Sequence, residues 1–521
     1  PGTEPAREER TRRDPGAAKV LRDAAAAGTV LLRNEGGLLP LDGARLGRVA
    51  LIGPNADPGA LHGGGSAALR AERRVGPREG LAERVADLVV ERGCLAHHSL
   101  PPLDERVCRR PDGEPGLLVE HVDAGGAVLA TETAARSAVH WGGADLPDGT
   151  AVIRLRATLT PPAGGTWTFG IAAVGPSRLW LDDREIVAND GLTPGGTLIG
   201  FGSTEVQGTA ALQPDRPVEL RAEVRTPAGT GLAGLIVGAL PPVPGDLLER
   251  AVAAAADADV AIVVVGTDEG WETEGVDRAS MALPGDQDEL VRRVAAANPR
   301  TVVVVNAGSP VTMDWAGDVP ALLQVWFGGQ ELGHALADVL LGDAEPGGRL
   351  PVTIPRRLED SPAFLDHPGE ADVLRYGERL FLGHRWYDAR GIEPRFAFGH
   401  GLGYTAFDLA GAALEGDAAA GDLAVAVDAV NAGTRAGKAV VQVYLQPPPG
   451  PLRRPLRSLA GFAAVVVAPG GRERVRIAVA RRAFEVWDPV AGRWDLPPGR
   501  YSLHVGRSSR DLVATLATDL I

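Results

Sequence analysis

LLERAVAAAADADVAIVVVG at 247–266, then QDELVRRVAAA at 287–297 and TVVVVN at 301–306, decides the fold. The alanine-rich opening predicts a helix over Leu247–Ala258. Val260–Val265 is aliphatic with no polar alternation, the pattern of a strand covered on both faces, as parallel strands are. The same alternation gives a helix at Gln287–Ala297, strands at Thr301–Val305 and Leu322–Val325, and a helix at Gln330–Leu341. Helix and strand in turn, with short connections, predict an α/β layered domain. Upstream, Arg48–Gly53 (RVALIG) reads as another buried parallel strand, and Ala17–Val30 as a helix capped by Asp14-Pro15. Gly63-Gly64-Gly65-Ser66 is a flexible loop near a strand's carboxyl end, where open α/β sheets gather their ligands.

Between these two α/β stretches the pattern changes. Val152–Leu159, Thr166–Ile171, Arg178–Leu181 and Val218–Val224 are short alternating runs separated by Gly, Pro, Asn and Asp, which predicts an antiparallel β-sandwich. The expected organisation is multidomain α/β plus β. Residues 1–16 form a linker remnant, 17–100 and 242–356 one α/β sandwich domain, 101–241 a β-sandwich inserted into it, 357–400 a connecting strap and 401–521 a second β-sandwich. Strands of the last are expected at Leu423–Val430, Ala439–Leu445, Arg474–Val479 and Tyr501–Val505.

The 521 residues carry a formal charge of −14. That balance, without clustered cations, excludes nucleic acid and an anionic membrane surface as partners and suits a neutral ligand. No run of eighteen or more apolar residues appears, so no membrane span is expected, and no signal peptide is read at the start. Cys94 and Cys108 are too few for a disulfide scaffold or a cysteine-based zinc site, and either one bridge or two free thiols fits them. His334, His384 and His400 lack a metal-ligand spacing and are read as packing residues. No metal or cofactor is called for.

Chemistry points to Trp271-Glu272-Thr273-Glu274-Gly275-Val276-Asp277-Arg278, placed after the strand at Val260–Val265. Cleaving a glycosidic bond takes one carboxyl to protonate the departing oxygen and a second to attack the anomeric carbon, about 5–5.5 Å away in retaining enzymes. Acids in a loop are also ordinary solvated surface charge, and composition does not separate the two readings.

A resemblance does. Ala24–Leu41 (AAAAGTVLLRNEGGLLPL), Val49–Asn55 (VALIGPN), Glu272–Gln287 (ETEGVDRASMALPGDQ), Val303–Pro310 (VVVNAGSP), Val325–Leu341, Pro346–Pro355 (PGGRLPVTIP) and Phe398–Phe407 (FGHGLGYTAF) follow one another as in family 3 glycoside hydrolases of β-glucosidase type. Gly165–Gly170 and Ser177–Asp183 resemble the protective-antigen-like module inserted in some members. Val430–Gly437, Val441–Tyr444, Leu459–Phe462 and Pro498–Gly506 are similar to the fibronectin type III-like module that ends many. The resemblance implies a retaining β-glucosidase acting on terminal β-D-glucosyl residues of oligosaccharides or small glucosides, a glucosylated macrolide included. Glu274, before the glycine of "E-G-x-D-R", aligns with the general acid/base, with Glu272 as runner-up. Asp277 and Arg278 look paired and support the loop. Gly65, Ser66 and Trp271 are candidate substrate contacts, and Trp141, Trp180 and Phe201 are either sugar-stacking or buried sandwich aromatics.

Family members begin with a barrel whose aspartate is the nucleophile, and nothing here matches it. Asp314-Trp315, the only Asp-Trp, falls in an ordinary packing segment and is rejected for that role. This chain is therefore expected to be inactive alone and to need the barrel in cis or in trans, in an extracellular setting by preference. The alternative is a non-catalytic carbohydrate-binding protein that keeps the family scaffold.

Overall fold

The computed structural model describes residues 15–69, 71, 73–142, 145–191, 193, 195, 197–226 and 232–520. Asp14, the expected cap, lies outside them. Six strands build the central sheet: β1 (Val30–Asn34), β2 (Arg48–Ile52), β3 (Asp87–Glu91), β4 (Val260–Gly266), β5 (Thr301–Asn306) and β6 (Ala321–Gln324), in the order β1-β6-β5-β4-β2-β3. All neighbours run parallel except β1, which pairs antiparallel with β6.

The valine runs are buried because both faces of this sheet are covered. Ile52, Val263, Val265 and Val303 face a core shared with α3 (Leu247–Ala256) and α4 (Gln287–Ala297) through Ala251, Ala255, Leu290 and Val294. Leu51, Ile262, Val264 and Val304 face the other side, against α1 (Pro15–Gly28), α2 (Pro77–Ala82) and α5 (Leu332–Leu341) through Ala26, Leu81, Leu336 and Val339. Successive residues of one strand thus feed opposite cores, as the two-residue period of a strand requires.

Local ends differ from expectation. The first helix stops at Gly28, and Val30 is already the first residue of β1, because its side chain belongs to the sheet core. The last α/β helix opens with a 3₁₀ turn at Gly329–Glu331 before α5 begins at Leu332.

Between β3 and α3 the chain forms two antiparallel sheets. In one, Arg184–Asn189, Ser177–Leu181, Val218–Arg225, Val152–Leu159, Leu117–Val122 and Val128–Ala134 lie side by side. In the other the order is Val206–Leu212, Gly165–Ala173, Leu232–Leu240, Ala138–Gly142. Inward residues of both, among them Leu155, Phe169, Leu179, Leu220 and Leu235, close a shared core. Trp141 is buried in it and donates its indole N–H to Glu132 at 2.7 Å, while Trp180 lies under the Arg221 guanidinium, 4.0 Å from its ring centre. Of the three aromatics, Phe201 alone stands out into solvent, 68% exposed. Cys94 and Cys108 are separate, buried, free thiols, which settles the question of a bridge.

The C-terminal part is a second sandwich. Phe407–Glu415, Ala424–Asn431 and Arg472–Ala478 face Ser458–Val467, Gly437–Gln446, Gly499–Gly506 and Leu512–Leu520 across a core of Val427, Val441, Phe484 and Leu503. Between the α/β layers and this sandwich runs an irregular stretch that contains a 3₁₀ turn at Leu358–Asp360 and one short α-helix, α6 (His384–Arg390). Asp388 of α6, almost wholly buried, is held by Arg457 at 3.2 Å and Arg510 at 3.3 Å of the sandwich. His384 stacks on Phe398 and meets Tyr444 edge-on, and His400 sits 3.0 Å from the Leu32 carbonyl, so both pack between bodies. His334 lies between Glu331 and Glu83 at 2.6 and 3.2 Å.

Candidate active site

The carboxyl ends of β4 and β5 hold the acidic loop. Asn306, at the end of β5 and fully buried, donates to the carbonyls of Ala60 (2.9 Å) and Trp326 (2.6 Å). Its Oδ1 accepts from the Ala60 amide (2.8 Å) and from Asn55 Nδ2 (3.0 Å), and Asn55 also donates to the Thr267 carbonyl (2.9 Å). One amide side chain thus ties three strand-end loops together. Gln287, at the start of α4, accepts from the Gly266 amide (2.7 Å) and donates back to its carbonyl (2.9 Å), which closes the far end of the loop. Buried amides fully bonded in this way fix a backbone, because leaving one unpaired is costly.

Within that frame the two glutamates part ways. Glu272 turns inward, where its Oε1 accepts from Thr267 Oγ1 (2.5 Å) and from the Gly308 amide (3.0 Å), and it faces the Arg278 guanidinium at 3.8 Å. Glu274, two residues on, is exposed and takes a hydrogen bond from the Ser66 hydroxyl. An extended segment would put residues two apart on one face; the bend at Glu272 and the turn at Glu274–Gly275, where Gly275 has φ +77°, send the two side chains apart instead.

The glycine loop is shaped to the acidic one. The Gly64 amide donates to the Glu272 carbonyl (2.8 Å), and a Cβ on Gly64 would fall 2.4 Å from the Glu269 carbonyl oxygen. Gly65 has φ +68°, and a Cβ there would lie 3.0 Å from the Glu274 side chain. Glycine is needed at both positions for close approach, and at Gly65 also for the left-handed backbone. The structure therefore brings Gly65, Ser66 and Glu274 together at the sheet's carboxyl edge.

One expected pairing does not form. Asp277 and Arg278 do not pair with each other. Asp277 meets His367 at 3.2 Å, while Arg278 bonds Ser309 Oγ (2.9 Å) and the Ser280 carbonyl (3.2 Å) beside Glu272. The cause is that adjacent side chains of an extended chain point to opposite sides. Trp271 donates its indole N–H to the Ala96 carbonyl (2.6 Å) and packs edge-on against His98, so its polar handle anchors the loop to the 95–98 segment. Asp268 receives the amides of Gly270 and Trp271, and burial pushes its carboxyl above the usual aspartate range. Sequence reading missed Thr267, Gly308 and Ser309, although their position just beyond strands β4 and β5 was a usable signal.

The inserted sandwich reaches this edge. Its turn at Leu198–Gly200 passes the acidic loop so closely that a Cβ on Gly200 would stand 2.9 Å from the Gly275 carbonyl, and Arg136 lies 3.9 Å from Glu269. Phe201 follows that turn.

Comparison with known families places this arrangement. Residues 29–404 match the glycosyl hydrolase family 3 C-terminal domain, and residues 439–509 match a fibronectin type III-like domain. The chain belongs to glycosyl hydrolase family 3. It is similar to the β-glucosidase of Rhizobium radiobacter, 37% identical over 519 residues, with 96% of this chain and 62% of that protein covered. The crystal structure of a β-glucosidase from Kluyveromyces marxianus in complex with glucose superposes with a TM-score of 0.91 at 31% identity, over 98% of this chain and 63% of that one. A β-glucosidase from Streptomyces venezuelae in complex with D-glucose gives 0.70 at 30% identity, over 99% of this chain and 62% of that one. The chain thus spans less than two-thirds of the length of the relatives it matches.

Proposed function

We propose that this chain is the C-terminal portion of a retaining β-glucosidase and that Glu274 is its general acid/base. The observation that carries the reading is the contrast between the two glutamates. Glu272 is used up holding the loop, and Glu274 is presented outward beside Ser66 at the sheet edge where α/β folds bind ligands. Relatives that are named β-glucosidases, and two that hold glucose, support the sugar.

In the proposed reaction a carboxylate from the barrel absent from this chain attacks the anomeric carbon. Glu274 gives its proton to the departing oxygen, and the glycosidic bond breaks to leave a glycosyl-enzyme ester. Glu274, now ionised, takes a proton from water as that water attacks the ester, which releases β-glucose, frees the attacking carboxylate in its ionised form and leaves Glu274 protonated again. The body at 101–241, read as a protective-antigen-like insertion, places Phe201 at the rim, where its ring suits an apolar aglycone such as a macrolide. A free carbohydrate-binding role is the weaker reading, because Trp141 and Trp180 are occupied within the sandwich.

The test supplies a family barrel to the chain and follows an aryl β-glucoside. Turnover should be negligible for the chain alone and restored by the barrel. Glu274→Ala should then slow poor leaving groups most, with partial rescue by azide. Efficient cleavage by the 521-residue chain alone, or full activity of Glu274→Ala, would overturn the assignment.

A further inference from the structure

The strap carries an apolar surface that neither sandwich nor the α/β layers cover. Between residues 364 and 382, Leu365 (92% exposed) and Tyr376 (75%) stand out with Phe364, Val373, Leu380 and Leu382. Patches of this kind on a soluble protein mark an interaction surface. Main-chain hydrogen bonds of this stretch run only between residues three or four apart, such as His367 to Ala363 and Phe381 to Glu378, so no sheet or long helix organises it. Ala371, Asp372 and Arg379 hold positive φ values of 49°, 60° and 55°, a backbone that side-chain-bearing residues keep only where their surroundings fix it.

This patch is continuous with the candidate site. His367 pairs with Asp277 of the acidic loop at 3.2 Å. A cavity of about 580 Å³ behind the loop is lined from one side by Met281 and Pro310 and from the other by Pro362, Leu382 and Gly383. The relatives carry more than a third of their length beyond what this chain covers, and glycoside hydrolysis demands a second carboxylate facing Glu274.

We propose that the 364–382 surface is the seat of that uncovered segment. The body bringing the opposing carboxylate docks on Leu365 and Tyr376, and the His367–Asp277 pair couples the seat to the acidic loop. The proposal rests on the glycosidase reading above, and its test keeps the two apart.

The segment of the Rhizobium radiobacter β-glucosidase that precedes the matched region is joined ahead of Pro1. Hydroxyl-radical labelling with peptide mass spectrometry then compares the fusion with the 521-residue chain. Labelling of Leu365 and Tyr376 should fall at least about threefold on fusion, while Val490, 95% exposed on the Val486–Asp488 and Arg493–Asp495 hairpin, should not change. With the segment supplied in trans, Leu365→Asp combined with Tyr376→Asp should weaken association about tenfold or more, and the melting temperature of the free chain should stay put because both side chains are exposed. Equal labelling in fusion and chain overturns the proposal. So does protection of the strap that rises with concentration of the chain alone, which would make the patch a self-association face. Aryl β-glucoside turnover by a fusion with an unprotected strap sinks the docking seat and leaves the glycosidase; a protected strap without turnover does the reverse.

Discussion

Replacing Glu272 by alanine separates holding the loop from doing chemistry. The change removes the acceptor shared by Thr267 Oγ1 (2.5 Å) and the Gly308 amide (3.0 Å), together with the carboxylate facing Arg278. A hydrogen bond to a charged acceptor contributes about 1.5–3 kcal/mol. The side chains of Glu272 and Arg278 are 14% and 15% exposed, so water recovers part of the loss, and about 3 kcal/mol remains against local opening. At about 1.4 kcal/mol per factor of ten, opening becomes on the order of a hundredfold easier. Amide hydrogen exchange, read on peptides covering 267–280 and 304–312, should speed up by that factor while peptides in the C-terminal sandwich stay unchanged. Glu274→Ala loses only an exposed contact with Ser66 and should shift the same peptides by about twofold at most. In a complex with the barrel both variants lose activity, but azide should rescue Glu274→Ala alone. Equal exchange in the two variants, or rescue of Glu272→Ala, would refute the division of roles.

Burial, together with the charge of Arg385, lowers the His384 imidazole from about 6.5 to about 4. The unfolded chain binds a proton there that the folded one refuses. Stability from this group is therefore complete above about pH 6.5 and falls by about 3 kcal/mol as pH drops to 4. Melting curves between pH 7 and 4 should show a shallower acid limb in His384→Gln, and an unchanged slope would count against it. Burial pushes the thiols of Cys94 and Cys108 up to about 12. An aromatic disulfide reagent at pH 8 should find no fast thiol in the native chain and two after denaturation; a total below two would mean a bridge. Gly65→Ala forces a Cβ into a left-handed position 3.0 Å from Glu274. It should cost about 1–2 kcal/mol of stability yet lower kcat/KM in the barrel complex tenfold or more, and retention of full kcat/KM would remove Gly65 from the site.

Strands β2, β4 and β5 were legible because a strand buried on both sides must be apolar throughout, and their bounds were read within a residue. The strands at Phe407–Glu415, Ser458–Val467 and Leu512–Leu520 escaped notice because they are half-exposed runs rich in alanine and small residues, so that their burial alternates while the two faces differ little in side-chain character. Helix α6 is only seven residues long and is held by Asp388 and His384 against the sandwich, a tertiary cause that leaves no periodicity. At the site, the acidic loop was found from its motif and its place after β4. Which glutamate turns inward depended on Thr267 and the Gly308 amide, partners supplied by another turn of chain. The false pairing of Asp277 with Arg278 arose from adjacency in sequence, which in an extended segment means opposite directions.

The pairing of β1 with β6 has a bearing on how the chain comes off the ribosome. Val30 waits for Gln324, about 300 residues downstream, and at 5–20 residues per second that is roughly 15–60 s of synthesis. Through that interval β1 has no mate, and β2 and β3 have only each other until β4 is made, whereas the intervening antiparallel body is complete and free to fold before the frame closes. The order of assembly is thus inside first and frame last, and the newborn frame strands are the part of the molecule most in need of a chaperone.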